Sequence, residues 1–418
     1  MRMALLNVCR QLPHFGRDEL MQRPVPIGWH RRRPVICLMV LAILAGASRA
    51  GADEGATRVT FTSDDGNNHV VDGKVLMEAV DGGILLLDRT GSLWNVTPDQ
   101  IENREPTGEN FQVLPPDELG EQLKDELGPG FDIVRTKHYV ICSGTERKYS
   151  RWCGSLFERL LSRFLTYWRM RDLDVSAPEA PLTAIVFANQ QDFARFATAD
   201  AGPSAASAKG YYSQRTNQMV LYDLTAALGR RPARSVDEVN ERMETALFNV
   251  ATIVHEATHQ IAFNCGLHTR YADNPLWLTE GMAMYFETPD LRSRKGWRTV
   301  GKVNRMRLNR FLDYVGKRRQ PDALMTLVSD DERFQATASF KNSEKLKDTY
   351  AEAWALSYFL AKAKRIEYAE YVKRTAAKPR LIWDGSETRA QEFKEIFGDD
   401  LAKLDQQFLR YMRRLRRK

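Results

Sequence analysis

Ile253-Val254-His255-Glu256-Ala257-Thr258-His259-Gln260-Ile261-Ala262 is the stretch from which the rest of the chain is read. Apolar residues flank it on all sides of a helical wheel, from Ala246, Leu247 and Val250 to Phe263, so the pattern predicts a buried helix over about 238–264. Two imidazoles and a carboxylate inside such a helix carry a desolvation cost that calls for a compensating partner. Positions i and i+4 share a helix face, so His255 and His259 can present ring nitrogens to one divalent cation at roughly 2.0–2.1 Å. Glu256, beside the first histidine, is then placed to handle a proton.

A second apolar run supplies a third donor. Asn274-Pro275 reads as an N-cap followed by a first-turn proline, and Trp277 to Glu287 continues as a helix with two embedded acids, Glu280 and Glu287. The metzincin pattern H-E-x-x-H-x-x-G-x-x-H would need Gly at 262 and His at 265, where this chain has Ala262 and Cys265. Cys265 stands six residues after His259, about 240° around the helix, and is a poor ligand. His268 follows the helix-ending Gly266 and reads as a surface or packing residue, as does His138 in a strand.

The pentad H-E-A-T-H at 255–259, followed after 20 residues by the glutamate of W-L-T-E-G-M-A-M-Y-F-E at 277–287, resembles the gluzincin branch of the MA clan of zinc peptidases. More closely it is similar to an uncharacterised family of exported bacterial proteins in that clan. The stretches G-Y-Y-S-Q-R-T-N-Q-M-V-L-Y-D (210–223), Y-A-E-A-W-A-L-S-Y-F-L (350–360) and F-G-D-D-L-A-K-L-D-Q-Q-F-L-R-Y (397–411) share the likeness, which spans roughly residues 131–415. By position, the resemblance implies His255, His259 and Glu280 as ligands of one Zn2+ per chain and Glu256 as general base. Gluzincins often place an acid four residues after the glutamate ligand to orient a histidine. Here that position is Met284, which leaves Glu287 or Asp273 for the role.

The implied fold is α+β: a zincin-like catalytic domain with a mixed sheet, an active-site helix and a helical C-terminal lobe, preceded by a small all-β module. The implied activity is hydrolysis of peptide bonds in a peptide or protein substrate, by zinc-activated water with Glu256 as base. Tyr350 is the first candidate for a hydroxyl donor to the oxyanion, ahead of Tyr211 and Tyr212. The strand around Met219 to Tyr222 is the expected edge for an extended substrate. The alternative is a non-catalytic zinc-containing protein that binds the cell envelope, a reading the intact Glu256 argues against. A zinc hydrolase of non-peptide amides fits the same residues.

Composition frames this reading. The 418 residues are 43% hydrophobic and 28% charged, which excludes a disordered or fibrous chain. The formal charge of +7 is misleading, because residues 1–52 hold eight arginines against Asp18 and Glu19 and carry +6 of it. That segment reads as a signal peptide: Arg31-Arg32-Arg33, an apolar run from Val35 to Ala47, and Ala50-Gly51-Ala52 as cleavage site, with Met21 as an alternative start. The expected location is therefore periplasmic, envelope or extracellular, an uncleaved signal anchor being the alternative. For an exported, nearly neutral chain, the basic cluster Arg292, Arg294, Lys295 and Arg298 around Trp297 is not a nucleic-acid patch. The basic end, Arg410 to Lys418, reads as a solvated helix terminus or as a contact with an anionic envelope surface.

Turn chemistry at Asp64-Asp65-Gly66, Asp81-Gly82-Gly83 and Thr90-Gly91-Ser92 divides residues 53–105 into short strands, a small β-barrel-like module. Residues 106–130, with Pro115-Pro116 and Gly128-Pro129-Gly130, read as a linker holding one short helix. The catalytic unit is expected over 131–418, beginning with a strand from Phe131 to Cys142 and ending in a helical lobe over about 275–418. In an oxidising compartment Cys142 and Cys153 are candidates for a disulfide across a short polar connection; separately buried thiols are the alternative.

Overall fold

The computed structural model describes residues 55–64, 66–225, 233–293, 297–334 and 340–416. The expected signal segment lies outside the described residues. Among those described, no helix is long and apolar enough to cross a membrane.

The N-terminal part is an antiparallel sheet of β1 (Gly55–Thr62), β2 (Asn68–Glu78), β3 (Ile84–Asp88), β4 (Leu93–Val96) and β5 (Ile101–Asn110), in the order β4-β3-β2-β1-β5. Val59, Phe61, Ile84, Leu86 and Val96 form its small core. The sequence reading ended the module at residue 105 and gave 106–130 to a linker, but strand pairing continues through Pro106, opposite Thr57. The pattern hid β5 because it is an edge strand, nearly all exposed, and an edge is where a strand tolerates proline.

This sheet docks on the rest of the molecule through its β3–β4 turn. Leu93 N–H donates to Arg215 O at 2.7 Å, and the buried Arg270 donates to Gly91 O at 2.9 Å and Gln214 O at 3.1 Å. Leu85, Leu93 and Tyr271 close an apolar contact beside them.

Helix α1 (Pro116–Leu127) leads into a mixed sheet of β6 (Asp132–Arg135), β7 (Tyr139–Ser143), β8 (Leu182–Phe187), β9 (Gly210–Tyr212) and β10 (Gln218–Tyr222), ordered β6-β7-β8-β10-β9. The single strand expected from Phe131 to Cys142 is thus a tight antiparallel pair. β7, β8 and β10 are parallel, and β9 folds back antiparallel on β10. The edge beside the metal-site helix is therefore β9, and β10, the strand expected there, lies inside the sheet.

Alternation in β7 sends Tyr139 and Ile141 to the main core and Val140 and Cys142 to the opposite face, against Leu114, Leu119 and Leu123 under α1. Cys153, on α2 (Arg147–Arg169), belongs to the main core. The expected disulfide is corrected accordingly: the sheet separates the two residues and both are free, buried thiols.

After α3 (Gln190–Ala201) and the β9–β10 hairpin, the predicted helix over 238–264 is two helices. α4 (Val236–Glu244) and α5 (Leu247–Asn264) break at Thr245-Ala246, where Thr245 Oγ1 donates to Arg242 O and Ala246 leaves helical geometry. α5 is pinned to the sheet by Gln260, whose Nε2 donates to Thr183 O and Asn217 O, both at 2.8 Å.

The remainder is helical: α6 (Leu276–Phe286), α7 (Arg305–Lys317), α8 (Ala323–Ser329), α9 (Phe340–Ala363), α10 (Arg365–Ala376), α11 (Ser386–Phe397) and α12 (Leu401–Leu415). The expected Asn274 cap of α6 is not made. Asn274 Nδ2 turns back to Thr269 O and Ala272 O, and Asp331 Oδ1 instead accepts from Leu276 N–H at 2.9 Å. The molecule is thus α+β, with an N-terminal all-β sheet and a helical C-terminal region.

Candidate metal centre

Helices α5 and α6 bring the three predicted donors together. His255 Nε2 and His259 Nε2 are 3.1 Å apart, Glu280 Oε2 is 3.2 Å from His255 Nε2, and Glu280 Oε1 is 3.6 Å from His259 Nε2. A tetrahedral ion with bonds of about 2.0–2.1 Å separates its donors by about 3.3 Å, so this triangle has the size of a metal site. The donor chemistry fits as well. Two imidazole nitrogens and a carboxylate oxygen converge here, and among the described residues Glu280 Oε2 has no aligned hydrogen-bond donor. His255, His259 and Glu280 are all buried and could hold a metal ion. Cys265 and His268 lie outside the group.

Burial alone opposes charge here, but the neighbours outweigh it. It lowers the pKa of His255, yet the facing carboxylates of Glu280 and Glu287 outweigh it and lift the pKa to about 10. Burial also works against ionisation of Glu280, while the facing imidazoles of His259 and His255 hold its carboxyl well below the usual range. In the metal-free chain these carboxylates favour the protonated form of His255.

Glu256 is 4% exposed and takes no part in the triangle. Its Oε2 accepts from Tyr212 N–H at 3.2 Å, so the outward-facing amide of edge strand β9 points at this carboxylate. Burial raises the pKa of Glu256, and the two histidines only partly offset it.

Glu287 and Asp273, the two candidates for orienting a histidine, separate clearly. Glu287 Oε2 is 3.4 Å from His255 Nδ1, close but not aligned as a hydrogen bond. Asp273 is drawn away: Lys378 Nζ donates to it at 2.9 Å and Arg389 Nε at 3.1 Å. It belongs to an ion network that supports the start of α6, since Arg389 also holds the capping Asp331 at 2.8 Å.

Among the tyrosines, Tyr211 donates to Asp200 Oδ2 and Tyr212 to Asn217 Oδ1, both at 2.8 Å, so neither hydroxyl serves the centre. Tyr350 is buried on α9, edge-to-face with Phe334 at 5.5 Å. His268 is not at the surface. It packs on Phe263 at 5.3 Å, and burial, then His259, pushes its pKa down to about 3. His138 pairs with Glu158 at 2.8 Å.

Sequence reading missed Asn304 and Arg307, which grip Glu287 from the start of α7. No motif marks them. The role of Tyr212 was missed too, because it acts through its backbone amide.

Residues 249–381 match a family described as "Protein of unknown function (DUF1570)". The matched segment contains all three donors, Glu256, Glu287 and Arg307. No curated protein matches the chain.

Proposed function

We propose that this protein is an exported zinc-dependent metallopeptidase of gluzincin type, with a zincin-like catalytic fold over its mixed sheet and metal-site helices. The observation that carries the reading is the placement of Glu256. It is a buried carboxylate outside the donor triangle, one residue from a ligand and held by the amide of the sheet's edge strand. A purely structural metal site has no use for such a group.

A bound zinc ion would supply Lewis acidity, acidifying water and polarising a carbonyl. The protein's residues do the rest. An extended peptide that adds to β9 would run past the outward amide of Tyr212 and bring its scissile bond beside Glu256. Glu256, raised by burial toward the range useful for proton transfer at neutral pH, accepts a proton from water at a carboxylate oxygen and returns it to the leaving amine. Tyr350 is the proposed hydroxyl donor to the oxyanion. Export follows the leader-like residues 1–52, and the basic end of α12, with Arg413 and Arg414 in its last turn, is the proposed contact with an anionic envelope surface.

The test is Glu256→Gln in a screen of unfolded proteins and peptide libraries. Wild-type chain should cleave and the variant should not, while binding zinc equally well. Cleavage that survives in the variant removes Glu256 as base.

A further inference from the structure

The first turn of α7 carries no residue that the sequence connects to metal chemistry, yet it holds the carboxylate standing behind His255. Glu287 Oε1 accepts from Asn304 Nδ2 at 2.7 Å and from Arg307 Nε at 3.1 Å. Its Oε2 accepts from Arg307 Nη2 at 3.3 Å and lies 3.4 Å from His255 Nδ1. Arg307 is 6% exposed and Glu287 is 2% exposed.

An isolated glutamate at a helix end has several rotamers. A guanidinium fork, by contrast, fixes both the position and the plane of the carboxylate it binds. Asn304 adds a third donor, and its own Oδ1 is tied to Arg307 N–H at 3.1 Å, so one helix start sets all three contacts. These contacts hold the carboxylate on the Nδ1 side of His255. A carboxylate facing Nδ1 at 3.4 Å, which a small turn of the ring would bring into a hydrogen bond, favours the tautomer whose Nε2 lone pair is free, and Nε2 is the nitrogen in the donor triangle.

The geometry points to Arg307 as a positioning residue of the metal centre, acting through Glu287 to orient His255. This rests on the metal-centre reading of His255, His259 and Glu280. The alternative role for the pair is to tie α6 to α7, with no effect on the metal.

The experiment is zinc affinity of the full chain, measured by competition with a chromophoric chelator, together with the visible absorption of the Co2+-substituted protein and thermal unfolding. Arg307→Met should lower zinc affinity about 10–100-fold and shift the Co2+ bands. Arg307→Lys, which restores charge but not the fork, should recover part of the affinity. Because Arg307→Met leaves a buried carboxylate unpaired and can unfold the chain, the double variant Glu287→Gln/Arg307→Met removes both charges together. It should unfold close to wild type and show the same loss.

A folded single or double variant with wild-type zinc affinity and unchanged Co2+ bands overturns the inference. If the unsubstituted chain binds neither Zn2+ nor Co2+, the metal-centre reading itself fails and takes the inference with it. That outcome is distinguishable because no variant is needed to see it.

Discussion

Gly281 follows Glu280 at the point where α6 crosses α9, and replacing it with alanine tests how tightly the metal centre depends on that crossing. A Cβ built on Gly281 would lie 2.6 Å from Ala353 O and closer still to Ser357 Oγ. The Ser357 hydroxyl can rotate; the Ala353 carbonyl belongs to the helix backbone and cannot. Restoring a normal contact of about 3.5 Å requires α6 to retreat by about 1 Å. Two effects on stability oppose each other: overpacking costs about 1–3 kcal/mol, and exchanging glycine for alanine within a helix returns about 1 kcal/mol. The net loss expected for the metal-free chain is therefore small, about 0–2 kcal/mol. Metal binding is less forgiving, because ligand distances must hold to within about 0.2 Å. Glu280 displaced by several times that tolerance should cost at least about tenfold in zinc affinity. The assays are urea unfolding in chelator and zinc competition at a temperature where the variant is fully folded. Wild-type zinc affinity in folded Gly281→Ala would refute the claim that the crossing sets the position of Glu280.

The other expectations follow from the charges and thiols. Because His255 in the metal-free chain keeps its proton up to about pH 10, zinc must displace it, so affinity should rise about tenfold per pH unit between pH 7 and 9; a flat titration contradicts this. The same raised pKa stabilises the metal-free fold fully below about pH 6.5, and that contribution is lost as pH rises toward 10. At Asp273, burial opposes ionisation but Arg389 and Lys378 prevail and lower the pKa, so its contribution is present above the unfolded value of about 3.9 and lost as pH falls. Arg389→Met should destabilise by about 3–5 kcal/mol at neutral pH, read by urea unfolding, and a change below 1 kcal/mol would show the network to be dispensable. Burial pushes the Cys142 thiol up to about 12, and Cys153 is fully buried. Both should resist alkylation in the folded chain and react on unfolding, and a reductant should leave the thermal midpoint unchanged. A reductant-sensitive midpoint would restore the disulfide.

Much of the candidate site was legible because metal ligands impose short-range spacing. His255 and His259 are one helical turn apart, and Glu287 falls two turns after Glu280, so helical periodicity alone put these groups on common faces. What sets the fate of Asp273 is not local. Lys378 and Arg389, far along the chain, draw it away, and sequence proximity to α6 made it look like an equal candidate. Arg307 was invisible for the same reason. In the fold, β1 to β4 showed themselves as short runs of strand-forming residues between Asp/Gly-rich and Gly/Ser turns. β5 did not, since an exposed edge strand buries too little to leave a pattern. Order within a sheet was hidden as well: the hairpin was evident, but nothing in its residues told that β9, not β10, forms the edge. Cys142 and Cys153 are near in sequence, and only the face each occupies shows why they do not meet.

The central claim is a metal ion held by His255, His259 and Glu280. Elemental analysis of the chain from about residue 53, purified without a metal-affinity tag, tests it most directly. The account predicts about one zinc ion per chain, lost in parallel with Glu280→Ala. A chain that stays metal-free after incubation with zinc at neutral pH would contradict it.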